Sequence, residues 1–167
     1  TISAFKKMTA CKAKRKNTKL MVSCDIANFY DRLNLHRLEN ILMSIGCDRS
    51  RVKLINELLI FWSGRDSYGL PVGSNASRIL AEASLIGVDR YLESMNVDFI
   101  RFVDDYRMFA SDAHTAHYWL TLLVDRLWQE GLTINTGKTK IESCEKFKTE
   151  ETEVQPEPED EKRKRDP

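Results

Sequence analysis

Several things are missing from this 167-residue sequence, and each absence removes a class of protein. No apolar run approaches the length of a membrane span, so no membrane partner is expected. Residues 1–19 are basic and hold no apolar h-region, so no secretory signal peptide is expected. Cys11, Cys24, Cys47 and Cys144 are scattered with no CxxC pair. That argues against a zinc site and fits reduced thiols, and a cytoplasmic location is expected. His114 and His117 stand three apart in a helical pattern, but no third ligand lies close by in sequence, and they read as surface residues. Residues 1–19 lack any acid and carry Lys6, Lys7, Lys12, Lys14, Arg15, Lys16 and Lys19. Such a run suits a polyanion, bound in a salt-dependent way, or a solvated flexible arm. Residues 145–167 lack large apolar side chains beyond Phe147 and Val154 and are rich in Glu, Lys, Pro and Arg, the composition of a disordered charged tail.

Between these ends the patterning is that of a folded domain with a core. Leu20 to Ile26 reads as a strand that ends in an acid, Asp25. A helix follows with Leu35, Leu38, Leu42 and Ile45 on one face, closed by Gly46. A second helix runs from about Arg51 to Trp62, with Val52, Ile55, Leu58 and Leu59 inward. The stretch Gly69 to Ser77 is too rich in Gly, Pro and Ser for an element interior. It leads into one long helix over Ala76 to Glu93, with Ile79, Leu80, Ala83, Ile86 and Tyr91 available for the core. A helix over Ala113 to Glu130 ends at Gly131, and Leu132-Thr133-Ile134 reads as a short strand. The order strand, helices, hairpin, helix, strand predicts an α+β fold. It is a split βαβ, ferredoxin-like plan with an antiparallel sheet and helices on one face.

The chemistry centres on Phe99 to Phe109. Two apolar, β-branched or aromatic runs flank Asp104-Asp105, which sits at the tip of a predicted hairpin because Asp tolerates the positive φ of a tight turn. An isolated Asp-Asp is compatible with a plain surface turn. In a split βαβ sheet, however, the end of the first strand lies beside the central hairpin, which would bring Asp25 next to Asp104. Like charges so placed repel unless cations join them. Carboxylates from neighbouring strands form the minimum cage for two Mg²⁺ ions, which fill their other positions with water and phosphate oxygens. Such a site transfers phosphoryl groups by positioning and charge neutralisation, without a nucleophilic Ser or Cys.

Four motifs in order resemble the palm domain of reverse transcriptases: Asp25-Ile26-Ala27-Asn28-Phe29-Tyr30; Gly69-Leu70-Pro71-Val72-Gly73 through Ser77; Phe102-Val103-Asp104-Asp105; and Gly131-Leu132-Thr133-Ile134-Asn135 with Lys138-Thr139. The resemblance spans about residues 20–142. It implies RNA-directed DNA synthesis with two Mg²⁺ ions, for which Mn²⁺ can substitute, and with an RNA template, a DNA or RNA primer and dNTPs as partners. Asp25 and Asp104 would be the metal ligands, Asp105 an auxiliary acid at the metal site, and Ile26 a backbone carbonyl ligand. Phe29 and Tyr30 fall on the nucleotide side, Tyr30 where the family excludes a 2′-hydroxyl. Gly73, Ser74 and Ser77 fall where the family contacts the nascent pair, template and primer. Lys138 falls near the triphosphate, as a proton donor to pyrophosphate. On spacing alone Tyr30 also reads as packing on the first helix, and Lys138 as a solvated turn lysine.

Leu70-Pro71-Val72-Gly73, Ser77 to Glu82 and Asp104 to Phe109 are more similar to bacterial abortive-infection and other defence-associated reverse transcriptases than to retron or group II intron enzymes. Val72 replaces the usual Gln of the second motif and lacks its hydrogen-bonding side chain. Three segments are expected: a basic segment over 1–19, a reverse-transcriptase palm over 20–144, and the tail over 145–167. Fingers are expected to be absent or reduced to residues 1–19, and no helical thumb is expected after Ile141. The chain is therefore expected to be a fragment or one subunit of a split enzyme, with separate fingers and thumb segments or other subunits as partners. Two alternatives stand beside this reading: a retron or group II intron-type reverse transcriptase with a divergent second motif, and a non-enzymatic, idle palm used for binding or assembly.

Overall fold

The computed structural model describes residues 1–64, 66–145 and 147. Helix α1 (Ile2–Ala13) leads into strand β1 (Leu20–Asp25), followed by α2 (Phe29–Arg32), α3 (Leu35–Ser44), α4 (Arg49–Trp62), α5 (Asn75–Ser84) and α6 (Ile86–Ser94). Strands β2 (Phe99–Phe102) and β3 (Asp105–Ala110) form a hairpin. Helix α7 (Ala113–Gln129) and a 3-10 turn at Thr136–Lys138 then lead to β4 (Lys140–Ser143). The strands lie in the order β2-β3-β1-β4, each neighbouring pair antiparallel. β1 and β2 both run against β3, so they are parallel to each other with β3 inserted between them. This is the split βαβ arrangement of an α+β fold.

Strand alternation divides the sheet's side chains between two faces. Val22 and Cys24 of β1, with Tyr106, Met108 and Ala110 of β3, enter the main core. The helical layer meets them there: Leu35, Leu38 and Leu42 recur along one face of α3, Val88 and Leu92 come from α6, and Leu123 and Leu127 from α7. Helix ends are fixed locally. The Asn34 side chain accepts from Arg37 N at 3.0 Å to start α3, and Asp112 accepts from Thr115 N at 2.9 Å to start α7. Gly131 follows α7 at φ 77°, a left-handed stop that a β-carbon would strain.

Met21, Ile100 and Phe109 point the other way and, with Ala13 and Cys144, form a second cluster that Phe5 and Phe147 join. Helix α1 thus covers part of the sheet's opposite face, an addition to the helical layer on the first. The basic segment is not a free arm over these residues. Lys12 ion-pairs with Asp98, which Arg15 Nη1 also reaches at 3.1 Å, while Lys6, Lys7, Lys16 and Lys19 remain exposed. Of the charged tail only Glu145 and Phe147 lie among the described residues; the disorder expected of the rest falls outside them. Among the described residues no helix is long and apolar enough to cross a membrane.

Three local expectations are corrected. The helix over Ala76 to Glu93 is two helices broken at Leu85, where ψ is 0°. Ser84 Oγ donates back to Ala81 O at 2.7 Å at this break, and the change of direction buries Leu85, Val88 and Leu92 completely. Ile79 and Leu58, expected inward, are exposed, because the buried stripes run through Ser77, Ala81 and Ser84 and through Val52 and Leu59. Residues Leu132-Thr133-Ile134 make only an isolated bridge from Ile134 to Ile26, and the closing strand is β4 instead. The reason is that Asn135 N donates to Asp25 O at 2.7 Å at the end of β1. The chain then has to cross through the 3-10 turn before pairing with the rest of that strand.

The phase of α4 is testable with two adjacent leucines. Leu59→Ala should cost about 2–3 kcal/mol of stability through the cavity it leaves. Leu58→Ala should stay within about 0.5 kcal/mol. Denaturant unfolding of the two variants is the check, and equal losses would mean that α4 is rotated.

Candidate active site

The acids meet because of strand register. Asp25 closes β1 directly opposite Asp105, the first residue of β3. Phe102 pairs with Asp105 across the hairpin, so the two-residue turn is Val103-Asp104 and not Asp104-Asp105. The positive φ falls on Val103, at 58°, rather than on an aspartate. Ile26 N donates to Asp104 O at 3.2 Å, which ties the turn to the residue after Asp25. Three carboxylates therefore gather where β1 ends and the hairpin turns.

Two of them have cationic partners from this chain. Lys138, carried on the 3-10 turn, places Nζ 3.1 Å from Asp25 Oδ2. Arg107, two residues along β3 and so on the same face as Asp105, engages it through both terminal nitrogens, with Nη2 donating to Oδ2 at 2.9 Å. The Arg107 guanidinium lies 5.7 Å from the Phe5 ring centroid, so α1 flanks this pair. Asp104 alone of the three has no ion-pair partner among the described residues. Burial pushes Asp104 above the usual carboxylate range, and the Asp25 charge adds to that while Lys138 offsets it. Burial also raises Asp105; Arg107 opposes that more strongly than Asp25 and Asp104 add to it, but burial prevails. As they stand, no three His, Cys, Asp or Glu side chains among the described residues are gathered tightly enough to hold a metal ion.

Tyr30 lies on α2, beside the turn. Its phenol is raised by burial first and then by the charge of Asp104, with Arg78 opposing. Leu70 N donates to Tyr30 O at 2.9 Å and Gly69 N to Leu33 O at 2.9 Å, so the glycine-rich loop is pinned along α2. Gly73 is exposed at φ 104°, a conformation that favours glycine. Ser74 Oγ accepts from Ser77 N at 3.0 Å as the N-cap of α5 and shares a 2.8 Å hydrogen bond with Ser77 Oγ. Two expected contact residues are not presented at the surface. Phe29 is 3% exposed in the main core, edge-on to Tyr30, and Ser77 is 2% exposed and occupied with Ser74. Cys24 offers no thiol chemistry, because burial pushes it up to about 11.

The family model for reverse transcriptase (RNA-dependent DNA polymerase) matches residues 1–159. The chain belongs to the reverse transcriptase family. No curated protein matches it. The match begins at residue 1, so α1 lies within the span the reverse transcriptase model covers. Arg107 was not among the residues singled out from the sequence of this reverse transcriptase. Strand alternation could have found it, since a cation two positions from Asp105 must share its face. Glu82, Arg101 and Asp89, which surround the turn from the helical side, gave no comparable signal.

Asp104→Asn keeps the shape of the turn and removes a half-buried, unpaired charge. In chelator-treated protein it should raise the thermal midpoint by about 1–3 °C. A lowered midpoint would mean that the Asp104 carboxylate is paired in the folded protein.

Proposed function

We propose that this chain carries the catalytic centre for metal-dependent, RNA-directed DNA synthesis, with Asp25 and Asp104 as the acids that hold Mg²⁺ or Mn²⁺. The observation that supports this reading is a half-buried Asp104 carboxylate that feels the Asp25 charge and has no ion-pair partner among the described residues. The donor set fits the ion: hard carboxylate oxygens, few in number, with room for phosphate and water. Held by Asp25 and Asp104, two such ions would supply activation of a 3′-hydroxyl and charge neutralisation for the departing pyrophosphate. Ile26 would add its backbone carbonyl. Asp105 serves as an auxiliary acid whose charge Arg107 keeps in balance. Lys138 can leave Asp25, being the more exposed of the pair, and move toward a triphosphate as proton donor. Gly73 and Ser74 would face the nascent pair, template and primer, with Ser77 supporting Ser74 from beneath. The proposed setting is bacterial antiviral defence, supported by the similarity of Leu70-Pro71-Val72-Gly73 and of the run Asp104 to Phe109 to defence-associated reverse transcriptases.

A second reading has its own support. Lys138 and Arg107 already partner two of the three acids, as they would in an idle palm used for assembly. Primer extension separates the two. On primed RNA with dNTPs and Mg²⁺ or Mn²⁺, with fingers and thumb segments added in parallel, the protein should incorporate nucleotides and Asp104→Asn should fall to background. Incorporation that survives Asp104→Asn would sink the assignment, and none under any condition favours the idle palm.

Tyr30 is proposed to lie under the deoxyribose and leave no room for a 2′-hydroxyl, the group that distinguishes RNA from DNA. Tyr30→Ala should raise ribonucleotide over deoxyribonucleotide use about tenfold or more, roughly 1.4 kcal/mol. Competitive incorporation of rGTP and dGTP is the measurement. Unchanged discrimination would make Tyr30 a packing residue only.

A further inference from the structure

We infer that Glu82 and Arg101 clamp the Val103-Asp104 turn from the helical side and are positioning residues for Asp104, an assignment that rests on reading Asp104 as a metal-holding acid. Val103 sits at φ 58°, a region that a β-branched residue rarely enters and keeps only when its surroundings enforce it. Both of its backbone polar groups are held. Val103 N donates to Glu82 Oε1 at 3.2 Å, and Val103 O accepts from Arg101 Nη1 at 2.8 Å. The two clamping side chains are joined to each other, with Arg101 Nη1 donating to Glu82 Oε2 at 2.6 Å.

Arg101 cannot easily swing away. Its side chain is 9% exposed and its guanidinium grips Asp89 of α6, with Nη2 donating to Oδ2 at 2.6 Å and Nε to Oδ1 at 3.0 Å. Asp89 is fixed in turn by the hydroxyl of Tyr106, which donates to Oδ1 at 3.0 Å and is itself fully buried. The guanidinium carbon lies 5.8 Å from the centroid of the Tyr106 ring. Four elements, α5, α6, β2 and β3, thus contribute to one polar chain, Glu82–Arg101–Asp89–Tyr106, whose Glu82 and Arg101 end holds both backbone groups of the residue before Asp104. An ion pair serving only the core would have no reason to hold both backbone groups of a strained turn.

The consequence is that the helical layer sets where Asp104 stands. Without the clamp, Val103 relaxes to negative φ, and the Asp104 carboxylate moves away from Asp25. Glu82 is the residue to change, because its half-exposed side chain makes Glu82→Ala compatible with folding, whereas Arg101→Met strands Asp89. The measurements are the thermal midpoint of metal-free protein and Mn²⁺ affinity by electron paramagnetic resonance, on wild type, Asp104→Asn, Glu82→Ala, Glu82→Gln and Glu82→Ala/Val103→Gly. Glu82→Ala should remain folded and weaken Mn²⁺ binding about 10–100-fold, the usual effect of losing an outer support of a metal ligand. Glu82→Gln, which can still accept from Val103 N, should recover part of that loss. Adding Val103→Gly should restore the midpoint, since glycine tolerates the turn, but not the Mn²⁺ affinity, since glycine does not hold it. Glu82→Ala with wild-type Mn²⁺ affinity, whatever its midpoint, overturns the clamp alone. Wild-type protein that binds no Mn²⁺, or binds it undiminished by Asp104→Asn, overturns the metal-site reading and the clamp with it.

Discussion

Everything near the end of β1 answers to one constraint, the repulsion among three carboxylates that strand register forces together. Asp25 and Asp105 are cross-strand partners, and Asp104 is the neighbour of one and is tied by its carbonyl to the residue after the other. Burial is the main reason that the Asp104 and Asp105 carboxyls are raised, and the like charges around them add to it. The chain's response is asymmetric. Arg107 takes Asp105 from the same strand, Lys138 takes Asp25 from a turn, and Asp104 is left over. Arg107 is braced by the strand and by Phe5 of α1, whereas Lys138 is largely exposed.

The fold supplies the means for this asymmetry. The sheet commits one face to the helical layer, and its opposite face, apolar where α1 covers Met21, Ile100 and Phe109, holds charged groups at the end of β1, where Asp25, Asp105 and Arg107 stand in alternation with Cys24, Tyr106 and Met108. Helix α1 covers part of that face and leaves the acids at its edge. From the helical side, the buried Arg101 and the half-exposed Glu82 reach the turn. Buried ion networks seldom add net stability over apolar packing. Their presence under a strained turn is better understood as a requirement of geometry than of folding.

How much of this was legible in the sequence depends on the range of the interaction. Period-2 and period-3.6 patterns located β1, the hairpin, α3 and α7, because those elements bury one face against a single core. Asp25 and Asp104 were legible because a strand-end acid and a hairpin acid must approach in a split βαβ sheet. The turn itself was not. Asp is the residue that tolerates positive φ, and a rule of local preference places the turn on Asp104-Asp105. Tertiary contacts to Glu82 and Arg101 override that preference and put Val103 there. The break at Leu85 and the failure of Leu132 to Ile134 to form a strand have the same origin. Each is decided by a partner remote in sequence, the main core for Leu85 and the end of β1 for Asn135. Ser77 and Phe29 sit on motif positions, but their burial is a packing outcome that no motif states.

The central claim is that the unpaired charge of Asp104, with Asp25, is where a divalent cation belongs, while Arg107 keeps Asp105 apart. Anomalous diffraction from crystals grown with Mn²⁺ tests it most directly. The account predicts anomalous density against the carboxylates of Asp25 and Asp104, with Lys138 displaced from Asp25 and the Arg107–Asp105 pair intact. Density on Asp105 with Arg107 turned away, or no density beside Asp25 and Asp104, would contradict it.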